Sequence, residues 1–195
     1  MKQVVLGVVG LALLAGCGVR PAAGGPEIPR TTASTPAPRP KVPEVVCSPE
    51  GVTISVSGGD AAMGLRTLTL DLTNCGTTPL TVHGYPAVRL FDEDDQPIDV
   101  AVGEGSADIA LVPGFDDPPQ AITLQPGEKA HSGLLWRNLV TDATVQATTA
   151  TRLEAAPAQG DPWQEVPLVE PNGPRTVTID LGNTGRLGVQ AWRKP

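Results

Sequence analysis

Alternation of apolar and polar residues with a period of two dominates the chain from residue 52 onward. Apolar side chains at residues 52, 54 and 56 alternate with threonine and serine, and those at 68, 70 and 72 alternate with threonine and aspartate. Within residues 129–137, the side chains that fall on one side are Ala130, Ser132, Leu134 and Trp136. Such alternation predicts half-buried β-strands. Shorter runs predict further strands at residues 80–82, 88–90, 98–102, 121–124, 151–155, 177–181 and 187–191.

Turn residues separate these runs, and no stretch has a convincing helical period. The chain holds 22 glycines and 21 prolines. Proline and glycine occupy the two central positions of Gln125-Pro126-Gly127-Glu128, which predicts a type II turn. Short strands between such turns favour an all-β fold, an antiparallel immunoglobulin-like β-sandwich of about nine short strands. Because the chain has only six aromatic residues, its core must be mainly valine, leucine, isoleucine and alanine.

The first 16 residues match a bacterial lipoprotein signal peptide. Lys2 precedes an apolar segment of eleven residues, 4–14. A helix of that length spans about 16 Å, roughly half the hydrocarbon core of a bilayer, so it is typical of a signal peptide rather than a membrane span. Leu14-Ala15-Gly16-Cys17 matches the lipobox, in which a diacylglyceryl group alkylates the cysteine thiol before the preceding bond is cut. We predict lipid attachment at Cys17; the alternative is a chance cysteine in an ordinary signal.

Residues 17–44 form a block of different composition. Seven prolines and almost no bulky apolar side chain predict a disordered linker, because such a segment cannot bury enough surface to offset the loss of chain entropy. Fully extended, the linker reaches roughly 80 Å. Residues 45–195 then form one β-sandwich domain of ordinary size.

Charge separates the linker from the domain. The linker carries a net charge of +2, whereas nine basic and nineteen acidic residues give the domain a net charge of −10. A domain this acidic binds nucleic acid poorly and is repelled by anionic lipid. We therefore predict a protein on the extracellular face of the cell membrane, attached through the lipid at its N-terminus, with no nucleic-acid partner.

Two cysteines remain for a disulfide once Cys17 carries lipid. An exported compartment permits Cys47 and Cys75 to pair. Cys47 precedes the strand at residues 52–56 and Cys75 follows the strand at residues 68–72, so antiparallel pairing of these strands places both thiols at the same end of the sandwich. We predict the bridge between Cys47 and Cys75; the alternative is two free thiols.

An acidic stretch at residues 91–99 contains four candidate metal ligands. Calcium prefers carboxylate oxygens. The weak candidates here are Asp92, Asp94, Asp95 and Asp99. The calcium-loop template fails, because a loop that begins at Asp92 has Pro97 at position six and Gly103 at position twelve, where glycine and glutamate are needed. We predict a solvated hairpin tip between strands 88–91 and 98–102, and no metal or other cofactor.

His83 and His131 are the two histidines, and each is predicted to lie in a strand, on the face opposite its aliphatic neighbours. Ser132 adjoins His131, but adjacent strand residues point to opposite faces and cannot form a catalytic dyad directly. The chain also lacks the motifs of serine hydrolases, zinc proteases and redox dithiols. We predict surface histidines without chemistry. Tyr85 is either a binding aromatic or a packing residue beside Pro86, and the scarcity of other large side chains favours packing.

Several short motifs match one known family. They are Cys47 before the first strand, Leu70 to Asn74 before a Gly/Thr/Pro turn, Gly84-Tyr85-Pro86 followed by Val88 and Leu90, Leu124 to Glu128 with Ala130-His131, and a closing strand that ends at Trp192. In these the chain resembles a family of secreted and lipid-anchored domains of unknown function from high-GC Gram-positive bacteria. The resemblance covers most of residues 47–192 and implies an immunoglobulin-like sandwich with no established activity. Members often carry the second cysteine just before the strand leading to Gly-Tyr-Pro, where this chain has Leu80; its cysteine is Cys75.

A lipid-tethered domain without a catalytic constellation predicts a non-enzymatic role. The leading hypothesis is a cell-envelope domain that binds a protein or a cell-wall component through strand edges or loops. The alternative is an enzyme, or a carrier of a ligand or metal, whose site is assembled from the acidic loops and a histidine. A deep cleft lined by convergent polar groups would favour the alternative. A filled sandwich with an exposed apolar patch would favour binding.

Overall fold

The computed structural model describes residues 46–168 and 176–195, which form twelve strands and no helix. The strands are β1 (Val52–Ala62), β2 (Leu65–Asn74), β3 (Leu80–Val82), β4 (Ala87–Phe91), β5 (Ala101–Glu104), β6 (Ile122–Leu124), β7 (Lys129–Arg137), β8 (Thr148–Ala150), β9 (Arg152–Ala156), β10 (Gln164–Val166), β11 (Ile179–Gly182) and β12 (Arg186–Val189). The all-β class is confirmed, with twelve strands where about nine were predicted. The predicted signal peptide, Cys17 and the linker lie outside the described residues. Within those residues no helix is long and apolar enough to cross a membrane.

A five-stranded sheet in the order β1-β2-β7-β12-β5 forms one side of the sandwich. The other side consists of the three-stranded sheet β10-β9-β4 and the two-stranded pairs β11-β8 and β3-β6. β10 lies against β1, and β6 and β11 lie against β7. The strand pairs are antiparallel as predicted, except that β5 runs parallel to β12.

Period-two burial builds the core between these layers. Val52, Ile54 and Val56 of β1 face inward, and so do the alternate leucines of β2. The predicted inward face of β7 is confirmed, because all four of its residues are buried. Leu135 lies on the opposite face of β7 and is also fully buried, so this sheet is covered in part on both faces.

The strand prediction was incomplete at β8 and β10 and wrong at residues 98–102. β8 and β10 have three residues each, and only Ala150 and Val166 among them are apolar, so neither displays alternation. Ile98 does donate its N–H to the Leu90 carbonyl at 2.9 Å. Pairing with β4 ends there, after the bridge between Phe91 and Pro97 and the bond from Ile98. The chain then crosses to the other layer and forms β5 beside β12.

The predicted type II turn before β7 is confirmed and is joined to β2. Glu128 donates its N–H to the Gln125 carbonyl at 2.9 Å, and Gly127 has a φ of +84°. Asn74, only 1% exposed, accepts the Gly127 N–H at its own carbonyl. Its side-chain amide donates to the Leu124 carbonyl at 2.9 Å. One buried amide therefore holds the end of β2 to the turn between β6 and β7.

Candidate functional site

Cys47 and Cys75 form the predicted disulfide. Their Cα atoms lie 5.9 Å apart, and the two residues are separated by 28 positions in the chain. β1 and β2 pair antiparallel, so the start of β1 lies beside the end of β2, as the prediction required. The Gly51 carbonyl accepts the N–H groups of Cys75 and Gly76, each at 2.9 Å. We call this part of the sandwich the disulfide end; the described chain begins there, at residue 46.

The acidic stretch forms a tight turn in which the carboxylates of Asp92 and Asp95 have protein partners. Asp92 Oδ1 accepts the backbone N–H of Asp94 at 2.9 Å. Asp95 has a φ of +59° and binds Arg152 at 2.7 Å. Asp99 lies beyond the turn and is exposed. Across residues 46–168 and 176–195, no group of three or more histidine, cysteine or acidic side chains is placed to hold a metal ion.

His131 lies in β7 and accepts a hydrogen bond. Arg193 Nε donates to His131 Nε2 at 3.3 Å. Burial lowers the pKa of His131, Arg193 lowers it further, and Asp71 opposes both. The adjacent Ser132 points to the other face and donates its hydroxyl to the Gln190 carbonyl at 2.6 Å. The two residues therefore form no dyad.

His83 does not lie in a strand, so its predicted placement was wrong. β3 ends at Val82, because the chain turns at Gly84, which has a φ of +87°. The exposed His83 lines a small cleft of about 190 Å³ together with Glu50 and Asp161. These are not the carboxylates of the predicted acidic loops, so the site combining those loops with a histidine is not assembled here.

Tyr85 packs against the core, in agreement with the packing interpretation. Burial raises the pKa of its hydroxyl, and Glu104 and Asp116 raise it further. The neighbouring Gly84 carbonyl accepts the N–H of Trp192 at 2.9 Å. The Gly-Tyr-Pro segment thus joins the closing segment of the chain to the rest of the sandwich.

The turn between β1 and β2 carries Met63, which is 98% exposed and the most exposed large apolar residue of the described chain. Ala62 pairs with Leu65, so Met63 and Gly64 are the two central residues of the hairpin. Their φ angles are +49° and +79°, as a type I′ turn requires. Asparagine followed by glycine is the favoured pair in such turns. A left-handed conformation at a residue with a Cβ costs roughly 1–2 kcal/mol.

A second segment places Leu139 against this turn and carries two further exposed apolar side chains, Val140 and Val145. Asn138 donates its N–H to the Gly64 carbonyl at 2.8 Å. A Cβ atom at position 64 would lie 3.0 Å from Leu139 Cδ2, so Leu139 rests on the turn. We call the following four residues the apolar tip: Met63 (98% exposed), Leu139 (38%), Val140 (64%) and Val145 (50%).

Hydrogen bonds from β11 and the turn after it fix the segment that carries Leu139. Asn183 donates its N–H to the Leu139 carbonyl at 2.9 Å. Asn183 Oδ1 also accepts the N–H of Thr141 at 2.9 Å. Leu139 forms a parallel bridge with Gly182, where the two backbones cross closely. Because the segment is held in advance, the tip loses little conformational entropy when a partner binds.

A comparison with protein families gives one match. The family described as "Domain of unknown function (DUF4232)" matches residues 47–193, most of the chain. The chain belongs to this family. The predicted resemblance to a family of domains of unknown function is thereby confirmed. No curated protein and no solved structure matches the chain.

The apolar tip of this DUF4232 domain was not predicted from the sequence. Alternation in β1 breaks at Gly58, where a bulge shifts the register after Val56. Gly58, Gly59 and Asp60 are typical of a turn, so the continuation of β1 to Ala62 was missed. The one local signal was Met63-Gly64 itself, a glycine-containing pair two residues before the next alternating run.

Proposed function

We propose that this protein is a lipid-anchored, non-enzymatic binding module on the outer face of the cell membrane of a high-GC Gram-positive bacterium, and that the apolar tip docks onto another protein of the envelope. The position of Met63 carries the proposal. An exposed apolar side chain in a conformation that it disfavours weakens the fold and makes no compensating contact within the described chain. Unfavourable backbone conformations are retained at functional sites.

The sequence supports the anchor. The lipobox ends at Cys17, and two or more acyl chains hold a protein stably at a membrane where one does not. The linker at residues 17–44 gives the domain a reach of roughly 80 Å when extended. The domain's net charge of −10 opposes contact with anionic headgroups. These features favour a domain that stands clear of the lipid surface.

The position of the tip supports a protein partner rather than the anchoring membrane. The linker joins the domain at the disulfide end, whereas the tip lies at the opposite end of β1. The eleven residues of β1 span about 33 Å at a rise of 3.3 Å per residue. The tip is therefore remote from the point where the anchored segment joins. Exposed apolar side chains of this kind are typical of the centre of a protein interface.

We expect Cys17→Ala to release the protein from the membrane fraction or to block removal of the signal peptide, because the thiol that accepts lipid is gone. Fractionation of cells and immunodetection measure this. Thr31→Ala, in the linker, leaves the lipobox intact and should behave like the unaltered chain. A Cys17→Ala product that is both processed and membrane-bound would refute lipid attachment at this residue.

Met63→Asn is expected to raise the free energy of unfolding by about 0.5–1 kcal/mol while it removes docking. Asparagine adopts positive φ readily, so the turn is relieved, whereas the apolar contact is lost. Met63→Leu keeps both the apolar surface and the strain and should change neither property. Urea unfolding of the full chain measures stability. A destabilised Met63→Asn variant with undiminished docking would contradict this role for Met63.

Docking itself is measured with a photoreactive benzophenone side chain at position 140 in intact cells. We expect one protein adduct, with a yield that falls about tenfold or more in Met63→Asn and is retained in Met63→Leu, because burial of one apolar side chain contributes roughly 1.5–3 kcal/mol. The same group at position 46, which is 74% exposed at the disulfide end, should not give this adduct. An adduct with lipid, with a second copy of the chain, or one that persists in Met63→Asn would overturn the proposal.

A further inference from the structure

A cleft of about 510 Å³ is lined in part by Arg193, which donates a hydrogen bond to His131 of β7. Its walls are the loop at residues 114–123 and the segment at residues 190–194. The first residue of β7, Lys129, lies at the disulfide end. The last residue, Arg137, pairs with Leu65 beside the turn that bears Met63. The cleft is therefore distinct from the apolar tip. Its volume lies in the range of small-ligand sites. We call it the Arg193 cleft.

Arg193 is held in the cleft by neutral acceptors. Arg193 Nη1 donates to the Gly114 carbonyl at 3.1 Å, and Nε donates to His131 at 3.3 Å. Burial and Arg193 lower the pKa of His131, which favours the neutral imidazole that can accept this bond. The nearest carboxylate is Asp117, whose oxygen lies 3.9 Å from Nη1, beyond hydrogen-bond distance. A guanidinium has five N–H donors, so Arg193 retains donors and an incompletely neutralised charge.

Lys194, at the same wall, is also loosely paired. Its Nζ lies 3.7 Å from Glu128 Oε2. That oxygen already accepts the backbone N–H of Gln125 at 2.8 Å. By contrast, Lys129 of β7 binds Asp71 directly at 3.1 Å. In a domain with a net charge of −10, two cations at one cleft whose only ion pairs are long favour an anion from outside the chain.

The wall facing Arg193 is fixed by buried contacts. Gln190 is 6% exposed, and its side-chain amide donates to the Gly114 carbonyl at 2.8 Å. Phe115 is 5% exposed and packs on Gly133 of β7, where a Cβ atom would lie 2.8 Å from the phenyl ring. Gly114 has a φ of +74°, which a glycine adopts without strain. The donors of Arg193 are therefore aimed by a rigid frame before any ligand binds.

We propose that the Arg193 cleft binds the carboxylate of a small ligand that carries a small apolar group. The planar fork of Arg193 matches a carboxylate, and Lys194 adds a second positive charge. Ile122 and Ala191 supply apolar wall. A monoanion fits better than a phosphate dianion, because Asp117 and Glu128 beside the cleft raise the electrostatic cost of each further negative charge.

Titration of the full ¹⁵N-labelled chain with N-acetylalanine tests the proposal. We expect saturable shifts confined to the amides of residues 114–123 and 190–194 and to the Arg193 Nε resonance. N-acetylalanine amide has nearly the same shape without the charge and should give no saturable shifts. N-acetylalanylalanine separates two sources of the carboxylate: tighter binding than N-acetylalanine indicates a peptide C-terminus, and weaker binding indicates a free acid.

Arg193→Gln should weaken N-acetylalanine binding by about 10–100-fold, since hydrogen bonds to charged groups are the strong ones. Arg186→Gln, at the start of β12 and outside the cleft, is the matched control and should bind like the unaltered chain. If Arg193→Gln fails to fold, Arg193→Lys keeps the charge without the fork and should still weaken binding. Three results would overturn the proposal. They are equal chemical-shift changes with N-acetylalanine amide, undiminished N-acetylalanine binding by folded Arg193 variants, and tighter binding of inorganic phosphate than of N-acetylalanine. Docking at position 140 should be unchanged in folded Arg193→Gln, because the two sites are distinct.

Discussion

The Cys47→Ala/Cys75→Ala double variant is expected to lose about 3–4 kcal/mol of its free energy of unfolding. The disulfide closes a loop of 28 residues, and the chain-entropy estimate for such a loop is about 3.6 kcal/mol. The native state itself should change little, because the Gly51 carbonyl continues to bind the N–H groups at positions 75 and 76. The loss therefore arises from the greater freedom of the unfolded chain. It is a large share of the roughly 5–15 kcal/mol by which domains are stable.

Urea unfolding of the oxidised chain, the reduced chain and the double variant measures this effect. The reduced chain and the double variant should agree, and both should have a larger dependence on urea, because the unfolded chain exposes more surface without the bridge. The double variant avoids the unpaired thiol that either single replacement leaves. A double variant as stable as the oxidised chain would show that the bridge constrains nothing that the β1–β2 hairpin does not already hold.

Gly182→Ala should destabilise the domain by about 3–5 kcal/mol, since it combines a left-handed conformation with overpacking. Gly182 has a φ of +56°, and a Cβ atom there would lie 2.1 Å from the Leu139 carbonyl oxygen. The obstacle is backbone, so no change of rotamer relieves it. Displacement of Leu139 also disturbs the apolar tip, and docking measured at position 140 should fall in molecules that remain folded.

Gly185→Ala is the matched control for this prediction. Gly185 has a φ of +59°, close to that of Gly182, but nothing lies within 4 Å of the position that a Cβ atom would take there. The free energy of unfolding of this variant should fall by only the roughly 1–2 kcal/mol that a left-handed conformation costs a residue with a Cβ. The difference between the free energies of unfolding of the two variants, measured with urea, gives the cost of the close approach of Leu139 alone. Equal losses of stability in the two variants would mean that the close backbone crossing at Gly182 adds nothing to the effect of Gly182→Ala.

The strands that were predicted best are those with the longest alternation. β7 has the predicted bounds, Lys129–Arg137, because one of its faces is buried along its whole length. The prediction was weaker where local chemistry conflicts with long-range pairing. β1 continues through Gly58 and Gly59 to Ala62, because pairing with β2 outweighs the poor strand propensity of glycine. β8 is a strand only because it pairs with β11, more than 25 residues later in the chain.

The candidate sites were less predictable than the strands. The apolar tip depends on the contact of Leu139 with Gly64, and the Arg193 cleft depends on the bonds of Arg193 to Gly114 and His131. Each of these contacts joins residues more than 60 positions apart. No local pattern around Arg193 distinguishes a cation with loose partners from one that is directly paired.

The sequence by itself determined the all-β class, the type II turn before β7 and the partner of Cys47, and it is the sole basis of the predicted lipid anchor at Cys17. These features rest on neighbouring residues: alternation, proline and glycine at fixed positions, and the nearness of two successive strands. Tertiary structure decided which side chains stay exposed and which cations stay loosely paired. Exposure and charge neutralisation depend on every element packed around a residue, and those elements are brought together only when the chain folds.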